Sequence, residues 1–240
     1  MIAFCTTLSL NYTRPCHVLK CDVRKFFDTV DHSALLSILG KRIKDTDTMS
    51  LLREIIGSYK ISTRDTRERE RERERDEALR AGIPIGNLTS QLFANVYMNE
   101  FDQFMKHDLK VKHYTRYTDD FIVISENREY LENLIEPINT FLKTKLKLSL
   151  HPNKVEILRC NRGIDFLGII LFPYHRMIRK KTRRRMMRKL GEKIELYRQG
   201  LIPKKSLDQT LQSCLGVLSH SNSYHLSTDL QNQFWFWSNK

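Results

Sequence analysis

Residues 113–124 read HYTRYTDDFIVI, and this stretch decides how the rest of the chain is interpreted. Aromatic and β-branched residues flank two adjacent acids, Asp119 and Asp120, which predicts two strands joined by a turn that carries both carboxylates. Neighbouring carboxylates repel each other, and each raises the pKa of the other, unless a cation or full solvation relieves the repulsion. The pair therefore indicates a divalent metal site, and a solvated polar β-turn is the alternative.

A third acid lies near the end of another apolar stretch, residues 17–23, which read HVLKCDV. This stretch predicts a short buried strand with Asp22 near its C-terminal end. An acid at such a strand end tends to project into a cleft rather than into solvent. We therefore expect Asp22 to complete the site that Asp119 and Asp120 begin.

Two supporting helices are predicted after this strand, because leucine and isoleucine recur at helical spacing in residues 35–39 and 51–56. We expect Ser33 to cap the first helix and Asp47 or Thr48 to open the second.

A glycine-bearing loop, GIPIGNLTSQ, follows at residues 82–91. The spacing of apolar residues beyond it predicts a helix, which Asn87 or Thr89 can cap. Glycines at the entry to a helix let the backbone approach a ligand closely and offer N–H groups to an anion. An ordinary capped loop is the alternative interpretation.

The composition indicates a globular protein with a polyanionic partner. With 240 residues, of which 40% are hydrophobic, the chain can bury the core of one large domain or two small ones. The net charge of +13 indicates that the partner is nucleic acid or a membrane surface. The excess charge is local, because residues 176–205 contain thirteen lysines and arginines against two acids.

Cysteine usage and the N-terminus predict a cytoplasmic protein. The five cysteines are odd in number and lack Cys-x-x-Cys spacing, so they predict buried thiols rather than a disulfide framework or a zinc site. The chain has no run of about 18 apolar residues and does not start like a signal peptide.

Residues 64–80 hold an Arg-Glu alternation with seven basic and seven acidic residues, and hence no net charge. A period of two places like charges together at i,i+4 on a helix. We interpret the segment as a solvated, low-complexity insertion rather than a nucleic-acid-binding arm.

Asp22 with the FF pair at 26–27, the 82–91 loop and the YTDD turn occur in the order and approximate spacing of the palm motifs of reverse transcriptases. The chain resembles that family from about residue 17 onward. The bacterial branch, which includes group II intron enzymes, retrons and diversity-generating retroelements, is most similar because residues 25–32 read KFFDTVDH. Within it, IGNLTSQ at 85–91 resembles the form typical of diversity-generating retroelements, whereas intron enzymes usually carry QGxxxSP.

The resemblance implies an α/β (α+β) fold: a right-hand polymerase palm with an antiparallel sheet backed by helices, then a helical thumb. We expect the palm, with partial fingers and the insertion at 64–80, to span residues 1–175. The basic thumb-like region would span 176–240. Because only 21 residues precede Asp22, we expect an N-terminally truncated enzyme whose fingers are largely absent.

The resemblance also implies an RNA-directed DNA polymerase that uses two divalent metals to transfer nucleotides onto a primer 3′-hydroxyl. Asp22, Val23, Asp119 and Asp120 would hold two Mg²⁺ ions, which Mn²⁺ can replace. Lys154 matches the lysine that protonates the leaving pyrophosphate, and an exposed strand residue is the alternative.

Other implied roles concern the nucleotide and the primer. Phe27 matches the aromatic gate beneath the sugar, or is simply a core aromatic. The further nucleotide-binding residues are Gly86, Ser90 and Gln91. The hairpin that resembles the primer grip, or else a buried core hairpin, consists of Phe166, Leu167 and Gly168. The basic residues implied to contact nucleic acid are Arg179, Lys180, Lys181, Arg183, Arg184, Arg185, Arg188 and Lys189. The terminal FWFW run at 234–237 either packs the last helix or stacks on a base.

The implied partners are an RNA template, a DNA or RNA primer, dNTPs and an accessory protein of the retroelement, with no membrane. Copying would be mutagenic if the diversity-generating assignment holds. The alternatives are a catalytically inactive nucleic-acid-binding remnant, a group II intron-type maturase or retron enzyme, and a nucleotidyl cyclase with paired acids on a similar core.

Overall fold

The computed structural model describes residues 14–58, 81–172 and 174–238. The Arg-Glu alternation and Cys5 lie outside the described residues. Internal contacts divide the chain into two compact units. One is His17–Leu158, and the other is Arg159–Lys240 together with the segment that ends at Cys16.

The first unit is a four-stranded sheet with helices. It begins with strand β1 (His17–Asp22) and helices α1 (Phe26–Thr29), α2 (His32–Gly40) and α3 (Thr46–Gly57). Beyond the 82–91 loop come α4 (Leu88–Gln103), a π-helical turn (Phe104–Asp108), β2 (Tyr114–Tyr117), β3 (Asp120–Ser125), α5 (Arg128–Leu146) and β4 (Glu156–Arg159). The strand order is β2-β3-β1-β4, and the β1–β3 and β2–β3 pairs are antiparallel. The predicted hairpin and the predicted first strand are both confirmed.

Strands β1 and β3 have two different faces because side chains alternate along a strand. Leu19 and Phe121 lie on one face and are fully buried in a core that includes Tyr97 of α4. The alternation places Asp22 and Asp120 on the opposite face. The helices thus cover one side of the sheet, and the acids lie on the other.

The caps of α2 and α3 differ from the prediction. Asp31, not Ser33, caps α2, and Asp45 caps α3, which begins at Thr46. Each carboxylate accepts a hydrogen bond from the backbone N–H three residues later, at 2.8 Å for Asp31 and 2.7 Å for Asp45. Both aspartates have the extended backbone of an N-cap, and a carboxylate reaches that N–H well.

In its described residues, the second unit combines a small antiparallel sheet with three helices. Its strands, in the order β5-β6-β7, are β5 (Ile164–Phe166), β6 (Ile169–Leu171) and β7 (Arg176–Ile178). Its helices are α6 (Lys180–Arg198), α7 (Lys204–Ser219) and α8 (Tyr224–Ser238). The predicted mixture of helices and antiparallel sheet is confirmed.

The core of the second unit explains the FWFW run. Met186 and Leu190 of α6 pack with Leu207 of α7 and with α8. On α8, Phe234 is buried in this cluster and Trp237 packs against it. The two intervening aromatic residues are exposed, as helical spacing requires.

The cysteines and the helices agree with a globular protein. The four cysteines in the described part of the chain, Cys16, Cys21, Cys160 and Cys214, are buried thiols, as predicted. No helix within residues 14–58, 81–172 and 174–238 is both long and apolar enough to cross a bilayer.

Candidate active site

The register of β1 and β3 brings the three predicted acids together. Asp22 lies directly opposite Asp120 in the antiparallel pair. Asp119 occupies the preceding turn, where its carbonyl oxygen accepts a 3.3 Å hydrogen bond from the backbone N–H of Val23. Asp22 is buried and the other two acids are half-buried. The acids therefore form a cluster at one end of the sheet.

The turn that carries Asp119 has a strained backbone. Thr118 is the first of its two central residues and has a φ of 54°. A β-branched residue rarely adopts this left-handed conformation, so the surrounding structure must hold it in place. Arg116 does so in part, because its Nη1 donates a 2.9 Å hydrogen bond to the Thr118 carbonyl.

Arg116 is itself fixed by a largely buried ion pair that was not predicted from the sequence. Its Nε and Nη2 donate to the two carboxylate oxygens of Asp102, at 2.8 and 2.6 Å. The hydroxyl of Tyr114 donates to the same carboxylate at 2.7 Å. The Arg116 side chain is only 9% exposed and that of Asp102 is 23% exposed. An arginine inside an aromatic strand was the available signal, because a buried charge requires a partner.

The electrostatics of the cluster follow from burial and repulsion. Burial raises the pKa of Asp119 above its usual value, and the charges of Asp120 and Asp22 raise it further. Burial and the charge of Asp22 likewise raise the pKa of Asp120, which Lys20 partly offsets. Lys20 was not predicted as a site residue, although its position two residues before Asp22 places it on the same sheet face.

Lys154 contacts the cluster directly. Its Nζ donates to a carboxylate oxygen of Asp22, and this hydrogen bond raises the pKa of the lysine. The backbone holds it there: the N–H of His151 donates to the Asp22 carbonyl at 2.8 Å, and the Lys154 N–H donates to the His151 carbonyl at 3.1 Å. Lys154 thus lies just before β4 rather than in a strand, and its side chain is 57% exposed.

The start of the 82–91 loop is fixed to the segment after β1. The N–H groups of Gly82 and Ile83 donate to the carbonyls of Val30 and Phe27, at 2.8 and 2.7 Å. The Nε2 of the buried His32 lies 2.7 Å from the Gly82 carbonyl. Phe27 is half-buried and packs against the core. The start of the loop therefore lies beside Phe27.

The nucleotide-binding residues predicted in the loop differ in accessibility. Gly86 has a φ of 93° and open space where a side chain would lie. Gln91 is exposed, whereas Ser90 is fully buried, and its hydroxyl has no hydrogen-bond partner among the described residues. Of these three predicted residues, Gly86 and Gln91 are therefore accessible to a ligand and Ser90 is not.

In the second unit, Leu167 and Gly168 form the two-residue turn between β5 and β6, with φ values of 54° and 81°. Phe166 is buried, whereas Leu167 is 51% exposed. Arg179 forms an ion pair with Asp165. The exposed members of the predicted basic set are Lys180, Lys181, Arg183, Arg184, Arg185, Arg188 and Lys189.

Comparison with known proteins identifies the family. Residues 5–171 match the family described as "Reverse transcriptase (RNA-dependent DNA polymerase)", which is more than half of the chain. The chain belongs to the reverse transcriptase family. The predicted resemblance is therefore confirmed, and the narrower assignment to diversity-generating retroelements stays a prediction.

Two curated relatives are similar to this chain over part of their length. Protein YkfC of Escherichia coli strain K12 is 29% identical over 208 residues, covering 73% of this chain and 50% of that protein. Group II intron-encoded protein LtrA of Lactococcus lactis is 22% identical over 209 residues, covering 61% of this chain and 33% of that protein. The chain thus spans half the length of the first relative and less of the second.

Solved structures show the same fold. Apo telomerase from Candida tropicalis matches with a TM-score of 0.52 and 13% identity, covering 72% of this chain and 34% of that chain. The telomerase of the same organism in complex with a fragment of telomeric RNA matches with a TM-score of 0.51 and 12% identity, covering 72% and 31%. At this identity the similarity concerns the fold alone.

Reverse transcriptases generally use divalent metal ions, and the donor chemistry of the acid cluster fits them. Three carboxylates provide the hard oxygen ligands that magnesium and manganese prefer. Burial and mutual repulsion raise the pKa of Asp119 and of Asp120, and a divalent cation would offset that repulsion. Among the described residues, however, no three acidic, histidine or cysteine side chains form a ready-made metal site.

Proposed function

We propose that this chain is the polymerase core of an RNA-directed DNA polymerase from a bacterial or intron-type retroelement. The position of Asp22 opposite Asp120, with Asp119 in the adjoining turn, is the observation that supports it most. If the turn were simply a solvated polar turn, there would be no reason for a third carboxylate, Asp22, to lie on the neighbouring strand and face Asp119 and Asp120. The positions of Lys154 and of the loop beside Phe27 agree with the same reaction.

In this proposal the acid cluster holds two Mg²⁺ ions, through Asp22, Asp119, Asp120 and the backbone at Val23. When bound, such ions make the primer 3′-hydroxyl nucleophilic and neutralise charge on the reacting phosphates. Lys154 carries its proton on Nζ beside the cluster and donates it to the pyrophosphate that leaves. Its ion pair with Asp22 holds the ammonium group beside the cluster.

The substrates follow from the same arrangement. Phe27, beneath the sugar of the incoming dNTP, would exclude a 2′-hydroxyl by its bulk, and Gly86 and Gln91 would lie beside the base pair that forms. We propose that the β5–β6 turn contacts the primer and that the basic residues of α6 contact the template–primer backbone. Residues 1–175 and 176–240 would then act as palm and thumb.

The test is primer extension on a primed RNA template with Mg²⁺, comparing the unmodified chain with Asp119→Ala. We expect extension to fall by about a hundredfold or more, because a carboxylate at the reacting phosphates is lost. Asp108→Ala is the matched control, since this exposed aspartate of the same unit lies in the π-helical turn. Extension by Asp119→Ala at the unmodified rate would refute the proposed site. Salt-sensitive template binding without extension by any variant would instead indicate a binding protein.

A further inference from the structure

Helices α6 and α7 of the second unit enclose a groove of about 700 Å³. One wall, from α6, is basic, and its charged residues are Arg185, Lys189 and Lys193. The other wall, from α7, is polar and uncharged, and its polar residues are Ser206, Gln209, Thr210 and Ser213. Lys193 and the whole α7 wall lie outside the basic set that the sequence predicts.

The basic wall is regular and lacks acidic partners. Arg185, Lys189 and Lys193 are spaced four residues apart, so they form one stripe about 12 Å long on the helix. None of the described residues that line the groove is acidic. Within the part of the chain that the structure describes, the ion pairs of this unit are Arg179–Asp165 and Arg188–Glu192, and neither involves the stripe. The stripe is therefore available to an external anion.

The remaining surface of the groove indicates which kind of anion fits. Among the described residues that line it, the apolar ones are Met186, Cys214 and Val217, and none is aromatic. Sites that hold single strands by their bases rely on aromatic stacking, which this groove lacks. Hydroxyl and amide groups opposite a row of cations instead suit a sugar–phosphate backbone, and a 2′-hydroxyl can both donate to them and accept from them.

We propose that the groove between α6 and α7 binds one strand of RNA through its phosphates and ribose 2′-hydroxyls, independently of base sequence. The stripe of Arg185, Lys189 and Lys193 contacts the phosphates. Gln209 and Ser213, both exposed on α7, contact the 2′-hydroxyls. The inference extends the proposed function, which requires an RNA template, but binding is measured without synthesis. Failure of one is therefore distinguishable from failure of the other.

The test measures binding of the full chain to fluorescent single strands of uridine and of deoxythymidine, of equal length, by anisotropy at several salt concentrations. For Lys189→Gln/Lys193→Gln we expect RNA affinity to fall about tenfold. The slope of log K against log salt concentration should decrease in magnitude by about 1.4, or about 0.7 per lost phosphate contact. The matched control is Lys143→Gln/Lys145→Gln, which removes the same charge from exposed positions on α5 of the other unit.

A second variant tests the choice of RNA. For Gln209→Ala/Ser213→Ala we expect RNA affinity to fall about fivefold and DNA affinity to stay unchanged, because only the sugar contacts are lost. Equal losses in the α5 control would overturn the groove as the site. Equal losses for RNA and DNA in the α7 variant, or displacement of RNA by polyglutamate as effectively as by unlabelled RNA, would overturn RNA as its ligand. Asp108→Ala, the control of the extension assay, should bind both strands as the unmodified chain does.

Discussion

Replacing Asp102 by Asn should destabilise the first unit strongly, because it leaves the charge of Arg116 buried without a counter-ion. Arg116 donates two hydrogen bonds to the Asp102 carboxylate, and its side chain is only 9% exposed. An asparagine has nearly the same shape, but it has no charge and can accept with only one oxygen. The substitution therefore tests the ion pair and not the packing.

The magnitude follows from the burial of the pair. Removing one partner of a buried ion pair costs about 3–5 kcal/mol. Asp102 is 23% exposed, so we expect the lower end, about 3 kcal/mol. At about 2–4 °C per kcal/mol for a chain of this size, Tm should fall by about 6–12 °C.

Urea unfolding followed by circular dichroism measures this loss. The matched control is Glu132→Gln, which breaks the Arg128–Glu132 pair, whose side chains are 62% and 49% exposed. Such an exposed pair contributes about 0–1 kcal/mol. If Asp102→Asn costs no more than Glu132→Gln, the burial argument is wrong. Arg116 also holds the Thr118 carbonyl and so the acidic turn. In primer extension, folded Asp102→Asn should therefore show a lower kcat with little change in KM.

Three further predictions concern stability. Tyr97→Phe should lower the free energy of unfolding by about 1–2 kcal/mol in urea, because it leaves the buried Leu146 carbonyl without the 2.6 Å hydrogen bond that the tyrosine donates; an unchanged value would contradict that bond. Asp119→Asn should raise Tm in metal-free buffer at pH 7. The pKa of Asp119 is higher in the folded state than in the unfolded state, so its ionisation destabilises the fold once the pH exceeds the pKa of the unfolded state. The Tm gain of Asp119→Asn should therefore vanish towards pH 3, where the carboxyl is protonated in both states. Leu167→Asn should stabilise the second unit by up to about 1 kcal/mol, because Asn tolerates the left-handed backbone of the turn better than Leu; lower stability would refute the strain.

The parts of the site that follow local patterns were predictable from the sequence. The position of Asp22 near the end of an apolar strand and the residues that flank the YTDD turn led to the prediction that the three acids share one site. Helical phase also carried a signal that the analysis did not use. Ser90 shares the buried face of α4 with Ala94 and Tyr97, and this spacing predicts its burial.

The tertiary partners were not predictable in the same way. Asp102 and Arg116 are separated by a π-helical turn and the start of β2, so their contact depends on how α4 packs against the sheet. The groove between α6 and α7 likewise depends on the relative rotation of two helices. Neither follows from a pattern within one element, because each pairs residues from elements whose packing the whole core decides.

Helix α4 also constrains how this chain can change in length. It begins just after Asn87, at the end of the loop proposed to face the nucleotide, and it carries Asp102, which holds Arg116 and the acidic turn. Inserting one residue between these ends would rotate Asp102 by about 100° around the helix axis and break the pair. Insertions and deletions within residues 88–102 should therefore disrupt the acidic turn, even where substitutions on the exposed face of α4 are tolerated.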